Sequence, residues 1–176
     1  MSFIDLAEKR FSVRSFKDAD VDEKYIAKIL EAARIAPTAA NRQSQRIMVI
    51  RGKNNVARLS ECTKYTFSAP LLFIICYDRS ASWKRKFDGH DEGEIDAAIV
   101  TTHMMLEAAD IGLGTTWVGY FDPAKLREIV SLDENIIPVA LLPTGWPAEG
   151  LTPSALHTDR KDIKDLLLDT PEDWKE

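Results

Sequence analysis

Cysteine is nearly absent from this 176-residue chain: Cys62 and Cys76 are the whole supply. One falls on a predicted helix and the other in a predicted strand. That arrangement suits neither a redox dithiol nor a zinc site, so both read as free, buried thiols. Histidine is as thin, with His90, His103 and His157 scattered without metal-ligand spacing. Glycine and proline number eight each, too few for a collagen or a low-complexity linker. Long apolar runs are missing as well. The longest, Leu71–Tyr77, is far below the roughly 20 residues that span a bilayer, and it has the length of a buried strand. Nor is there an excess of positive charge, since 23 Lys and Arg against 28 Asp and Glu leave a net charge of −5. That balance argues against a general nucleic-acid binder or a protein drawn to acidic membranes, so any bound anion must meet a local cluster of cations. Asp5 and Glu8 interrupt the apolar stretch a signal peptide needs, which predicts a cytoplasmic location. No Gly-x-Ser-x-Gly elbow supports a hydrolase triad.

What remains is a chain that is 45% hydrophobic and 29% charged, as expected of one domain spanning 1–176. Ser2 and Asp5 form a capping-box pattern for a short helix from Phe3 to Glu8. Asp20 or Asp22 caps a second helix, with Tyr25, Ile26, Ile29, Leu30 and Ala33 at helical spacing, which Pro37 ends. Ile47–Ile50 and Leu71–Tyr77 read as strands, with a short helix from Val56 to Cys62 between them. Residues 78–93 are dense in charge and poor in apolar material, predicting an exposed, mobile excursion that could act as a lid. A long central helix is expected from Glu94 to Ile111, closed by Gly112, then a strand over Thr115–Tyr120. Asp122-Pro123 opens another helix, and Ile137–Leu142 forms the last strand. Residues 146–176 read as an extended tail with a short helix near Ile163, Leu166 and Leu167. Its Trp146, Leu151, Leu156 and Trp174 are costly to leave in water, so docking on a second subunit is expected.

Three segments carry chemistry. In Lys9–Arg14 an extended backbone points Arg10, Ser12 and Arg14 the same way, forming a clamp of two guanidinium forks and a hydroxyl for an anion. In Ala36–Gln43 the amides of Asn41 and Gln43 sit at the end of an element and suit the alternating donor and acceptor edge of a heterocycle. In Ile111–Tyr120 glycines at 112, 114 and 119 surround a strand and let backbone amides approach a ligand. They follow a helix and precede a strand, the reverse of a dinucleotide fingerprint.

Taken in order, Arg10–Phe16, Ala36–Gln43 and Gly112–Gly119 resemble the flavin-dependent nitroreductase family, with support from Leu142–Pro147 and from the late basic element His157–Lys161. The likeness covers nearly the whole chain. It implies an α+β fold, a mixed and mostly antiparallel sheet flanked by helices, in an intertwined homodimer with FMN at the subunit interface. By the same likeness Arg10, Ser12 and Arg160 bind the FMN phosphate, Arg14 lies near the pyrimidine side of the ring as the catalytic cation, and Asn41 and Gln43 contact ring or ribityl atoms. Backbone amides around Val118 and Gly119 face flavin N5, and some of these groups come from one chain and some from the other. The implied activity is hydride transfer from NADH or NADPH through flavin to nitroaromatic or quinone-like acceptors, with ping-pong kinetics. Same-fold alternatives are reductive dehalogenation and enal or azo reduction, and a rival of another class is a flavin-binding module without turnover. One departure from the family is Ser44-Gln45, where Pro and Trp are frequent; it predicts a more polar floor.

Overall fold

The computed structural model describes residues 1–171; Trp174 and the last part of the expected tail lie outside the described residues. Strand β2 (Leu71–Asp78) is the centre from which the rest follows. Its side chains alternate between two cores, as a strand's must. Leu71, Phe73 and Ile75 pack with Ile26, Ile29, Val100 and Met104 on one face, and Leu72, Ile74 and Cys76 pack with Val56, Leu59 and Leu126 on the other. Burial on both faces explains why this strand reads as an unbroken apolar run.

β2 pairs antiparallel with β1 (Gln45–Arg51) and with β4 (Ile136–Gly145), and β4 pairs antiparallel with β3 (Gly114–Thr115), giving the order β1-β2-β4-β3. All three strand pairs are antiparallel, and an isolated parallel bridge joins Ser12 to Thr115. α2 (Glu23–Ile35) and α4 (Gly93–Asp110) cover one face; α3 (Lys53–Ala57), the 3-10 turn Arg58–Glu61 and α5 (Pro123–Val130) cover the other. The architecture is α+β. Among the described residues no helix is long and apolar enough to cross a membrane.

Local chemistry sets the element ends. α1 (Phe3–Lys9) begins in a complete capping box between Ser2 and Asp5, and Asp122 accepts the amides of Ala124 and Lys125 at the start of α5. α4 closes in a left-handed residue, Gly112 at φ 85°, with Leu113 N–H donating to Ala108 O at 2.8 Å and Gly112 N–H to Ala109 O at 3.2 Å. The expected strand Thr115–Tyr120 shrinks to Gly114–Thr115. Thr116 donates to Pro143 O, but proline has no N–H to return, so the ladder breaks there and resumes as a single bridge between Val118 and Leu141.

Within residues 78–93 the stretch 84–90 is exposed, Ser82 and Gly93 are buried, and the backbone is internally bonded. Lys84 and Asp91 bridge in antiparallel fashion, Arg85 N–H donates to His90 O at 2.9 Å, and Glu92 N–H donates to Trp83 O at 3.0 Å. Phe87 sits at its tip, 97% exposed. Trp146, expected to need a second subunit, is half-buried against Tyr25 of its own chain, ring centroids 5.2 Å apart. From Leu151 to Pro171 the chain is exposed apart from half-buried His157, with 3-10 turns at Ala155–His157 and Ile163–Leu166.

Candidate functional site

The N-terminal basic stretch emerges from α1 in extended form: Arg10 caps the helix with φ −67° and ψ 124°. Val13 N–H then donates to Thr115 O at 2.9 Å, and the Thr116 hydroxyl donates to Val13 O. Gly114 permits this approach, because a Cβ there would stand 2.5 Å from Val13 Cγ2. Val13 is thereby buried, and its neighbours Ser12 and Arg14 are turned toward an open cleft.

The chain returns to the same place at its other end. Lys17 N–H donates to Trp146 O and Ala148 N–H to Ser15 O, laying residues 146–148 beside the N-terminal stretch. The tail then crosses back to α1, where His157 Nε2 meets Glu8 O at 2.8 Å and its ring stands edge-on to Phe11. Arg10, Ser12, Arg14 and Arg160 consequently line one open cleft, together with Phe11 and His157. A single chain thus brings Arg10 and Arg160, from opposite ends of the sequence, to one cleft. Arg160 Nη1 donates to Leu156 O and Asp159 O, both at 2.8 Å, which fixes its fork. Burial, and then the proximity of Arg160, hold the Arg10 guanidinium below its ordinary pKa. Among the described residues no carboxylate oxygen lies within 4.0 Å of Arg10, Arg14 or Arg160. The cleft is a cationic site without an anion of its own.

Asn41 and Gln43 lie elsewhere. They belong to a tight loop after α2 in which Ala40, Asn41 and Gln43 all adopt left-handed backbones, at φ 48°, 53° and 49°. Such conformations cost non-glycine residues roughly 1 kcal/mol or more each, and they persist only where the surroundings impose them. Here the impositions are visible. Thr38 Oγ1 accepts from Gln43 N–H at 3.0 Å, and Asn41 N–H donates to Thr38 O at 2.9 Å. Asp78 N–H donates to Ser44 O at 2.8 Å, and Asp96 Oδ1 accepts from Ala39 N–H at 2.8 Å. Both residues are exposed, and Gln43 Nε2 donates to Asn41 O at 3.4 Å.

This loop sits against the first turn of α4, through Asp96, whereas Arg10 lies against its last turn, beside Ala109 and Gly112. From Asp96 to Ala109 the helix rises about 20 Å. The loop and the cationic cleft of one chain are thus separated by most of the length of α4.

Val118 and Gly119 differ from each other. The Val118 N–H is already donated to Leu141 O at 2.9 Å, so it has no hydrogen to offer a ligand, contrary to expectation. The Gly119 N–H has no partner among the described residues and lies on exposed backbone.

Sequence reasoning did not single out His157, Phe11 or Asp96 for the site. The first two carry a usable signal, since His157 belongs to the late basic element and Phe11 stands inside the N-terminal one. Asp96 carries none, because an acidic residue in the first turn of a helix is commonplace.

A family model described as "Nitroreductase family" matches residues 7–70 and 62–146. A nitroreductase family protein from Clostridium difficile 630 superposes with a TM-score of 0.88 at 38% identity, covering 96% of this chain and 98% of that one. An FMN-dependent nitroreductase from Clostridium difficile R20291 superposes with a TM-score of 0.74 at 26% identity, covering 86% and 91%. A relative from Methanothermobacter thermautotrophicus, provisionally named an NADH dehydrogenase/NAD(P)H nitroreductase, is 28% identical over 173 residues, covering 91% of this chain and 88% of its own.

Proposed function

Since this chain belongs to the nitroreductase family, we propose that it is an FMN-dependent oxidoreductase that draws electrons from NADH or NADPH and passes them to nitroaromatic or quinone-like acceptors. The observation that carries the reading is the cleft in which Arg10, Ser12, Arg14 and Arg160 converge with no carboxylate among them. Two guanidinium groups on one cleft fit a phosphate, whose oxygens accept from both forks at once.

Bound FMN would supply two-electron redox chemistry, taking hydride from the nicotinamide donor and giving it to the acceptor in two successive half-reactions. The protein's part is position and charge. Arg10, Ser12 and Arg160 hold the phosphate. Arg14, exposed on the same extended stretch, sets a fixed positive charge toward the pyrimidine side of the ring, in place before any electrons arrive. Asn41 and Gln43 offer amide donors and acceptors to the ring edge, and the free Gly119 N–H is the backbone donor left for it.

The distance along α4 supports a homodimer. One FMN gripped by the cleft of a protomer lies about 20 Å of helix away from that protomer's own Asn41 loop. A two-fold axis that lays the α4 helices antiparallel sets the loop of one protomer beside the cleft of its partner. The exposed Leu156, Ile163, Leu166, Leu167 and Leu168 of the tail would be covered in the same association. A cytoplasmic setting, where both nicotinamide donors circulate, belongs to this reading.

The test is direct. Purified protein should be yellow or become so with FMN, its absorbance should bleach on anaerobic addition of NADH or NADPH, and a nitroaromatic should restore it. A colourless protein that ignores added FMN refutes the proposal.

A further inference from the structure

The loop that carries Asn41 and Gln43 is held from behind by a carboxylate with an unusual balance of partners. Asp96 is 2% exposed, yet only Oδ1 has a partner, the Ala39 N–H at 2.8 Å; Oδ2 is buried without one. A charge half-satisfied in a protein interior is a poor device for stability, since an apolar residue would fill the space without stranding an oxygen. Ala39 is the residue from which the loop departs into its left-handed backbone at Ala40, Asn41 and Gln43. The other anchors of the loop are internal to it or lie at its far end: Thr38 serves Asn41 and Gln43, while Arg46 Nη1 donates to Gln43 O at 3.3 Å and Asp78 N–H to Ser44 O. Asp96 is the contact that ties the start of the loop to the central helix.

We propose that Asp96 is a positioning residue: its Oδ1, fixed by the first turn of α4, holds Ala39 so that the loop keeps its left-handed form and presents Asn41 and Gln43 to the flavin ring. This rests on the FMN reading above. Asp96 acts through the loop and need not touch the cofactor. The function lies in the acceptor oxygen rather than in the charge, so an asparagine that keeps this oxygen should serve and an alanine should not.

The experiment uses three single variants of the full chain, each compared with wild type in apo form by amide hydrogen exchange and then by FMN titration. Asp96→Ala removes the acceptor. Ala39→Pro removes the donor and leaves α4 untouched; Thr38, at φ −135° and ψ 155°, already has the extended backbone that a following proline requires. Both should speed exchange of the Asn41 and Gln43 amides about tenfold, leave β2 amides unchanged, weaken FMN binding about tenfold and shift the visible spectrum of the bound flavin. Asp96→Asn should stay within about twofold of wild type in both measurements. If Asp96→Ala does not fold, Ala39→Pro decides alone. Exchange and FMN affinity unchanged in Ala39→Pro overturn the proposal, and so does an Asp96→Asn as damaged as the alanine. Wild-type protein that ignores FMN refutes the functional reading instead, while the exchange arm still reports whether Asp96 holds the loop.

Discussion

Arg10 and Arg160, from opposite ends of the chain, face one cleft, where burial and then the nearness of Arg160 lower the pKa of Arg10. Like charges brought together without a counter-ion are a cost that a bound dianion converts into affinity. Removing one of them should therefore act with opposite signs on two measurements. Arg160→Ala should weaken FMN binding by about tenfold to a hundredfold, the value of charge-assisted hydrogen bonds, and it should leave the apo protein's melting temperature unchanged or slightly raised. Equal losses of affinity and of apo stability would mean that Arg160 is a structural cation.

Arg14 tests the other half of the clamp. It shares the cleft but lies exposed, so its value should appear when the ring takes up negative charge rather than when FMN binds. Arg14→Ala should slow bleaching by NADH or NADPH about tenfold to a hundredfold, with FMN affinity within about fivefold, and Arg14→Lys should recover part of the rate. Stopped-flow reduction beside an FMN titration separates the two.

Gly114 sets how close the clamp stands to the sheet. A Cβ at this position would meet Val13 Cγ2, Cβ and Cγ1 at 2.5 to 2.8 Å. Gly114→Ala should cost about 1–3 kcal/mol of stability, as overpacking does, and weaken FMN binding by displacing Ser12. Val13→Ala placed with it removes the two Cγ clashes but keeps the Cβ, so it should recover part of the stability. A double variant no more stable than Gly114→Ala would show that the crowding lies elsewhere.

The parts of the fold that sequence makes plain are those where one residue type has one local use. Ser2 with Asp5, Asp122 with Pro123, and Gly112 after an apolar helix each satisfy backbone groups that a helix end leaves open, whatever surrounds them. The shared direction of Arg10, Ser12 and Arg14 toward one cleft was readable for a similar reason, because alternate residues of an extended backbone point the same way. What escaped depends on distant partners. The left-handed backbones at Ala40, Asn41 and Gln43 carry no glycine to announce them and are imposed by Thr38 and Asp96. Thr115–Tyr120 has the composition of a strand, but Pro143 on the facing strand interrupts it, and Leu141 takes the Val118 amide. Arg160 meets Arg10 within one chain because His157 ties the tail to Glu8, a contact no local pattern encodes.

Asp96 also predicts how stability varies with pH. Burial raises its carboxyl above the ordinary value, the Ala39 N–H opposes this, and the neighbouring Glu92 and Asp91 raise it further. An acid whose folded value exceeds its unfolded one binds the proton more tightly in the native state, so stability falls as pH rises through the window between the two. Asp96→Asn removes that dependence. The variant should be more stable than wild type at pH 7, and the advantage should shrink as pH is lowered toward the ordinary carboxylate range. Urea melts at several pH values check this; a constant difference across pH would mean that Asp96 does not titrate with folding.

The separation of clamp and loop along α4 leads to a test that needs no structure of the complex. If each site takes its cations from one protomer and its Asn41 loop from the other, a protomer carrying Arg10→Ala and Arg160→Ala forms inactive homodimers, and so does a protomer carrying Asn41→Ala and Gln43→Ala. Mixed dimers differ. One of their two sites combines both defects, but the other combines the intact cleft of the second protomer with the intact loop of the first. Co-expression with two affinity tags, followed by purification through both, should recover about half of wild-type NADH-dependent turnover per dimer, from one working site of two. Were each site built within a single protomer, both sites of the mixed dimer would carry one defect and turnover would stay at the level of the parents.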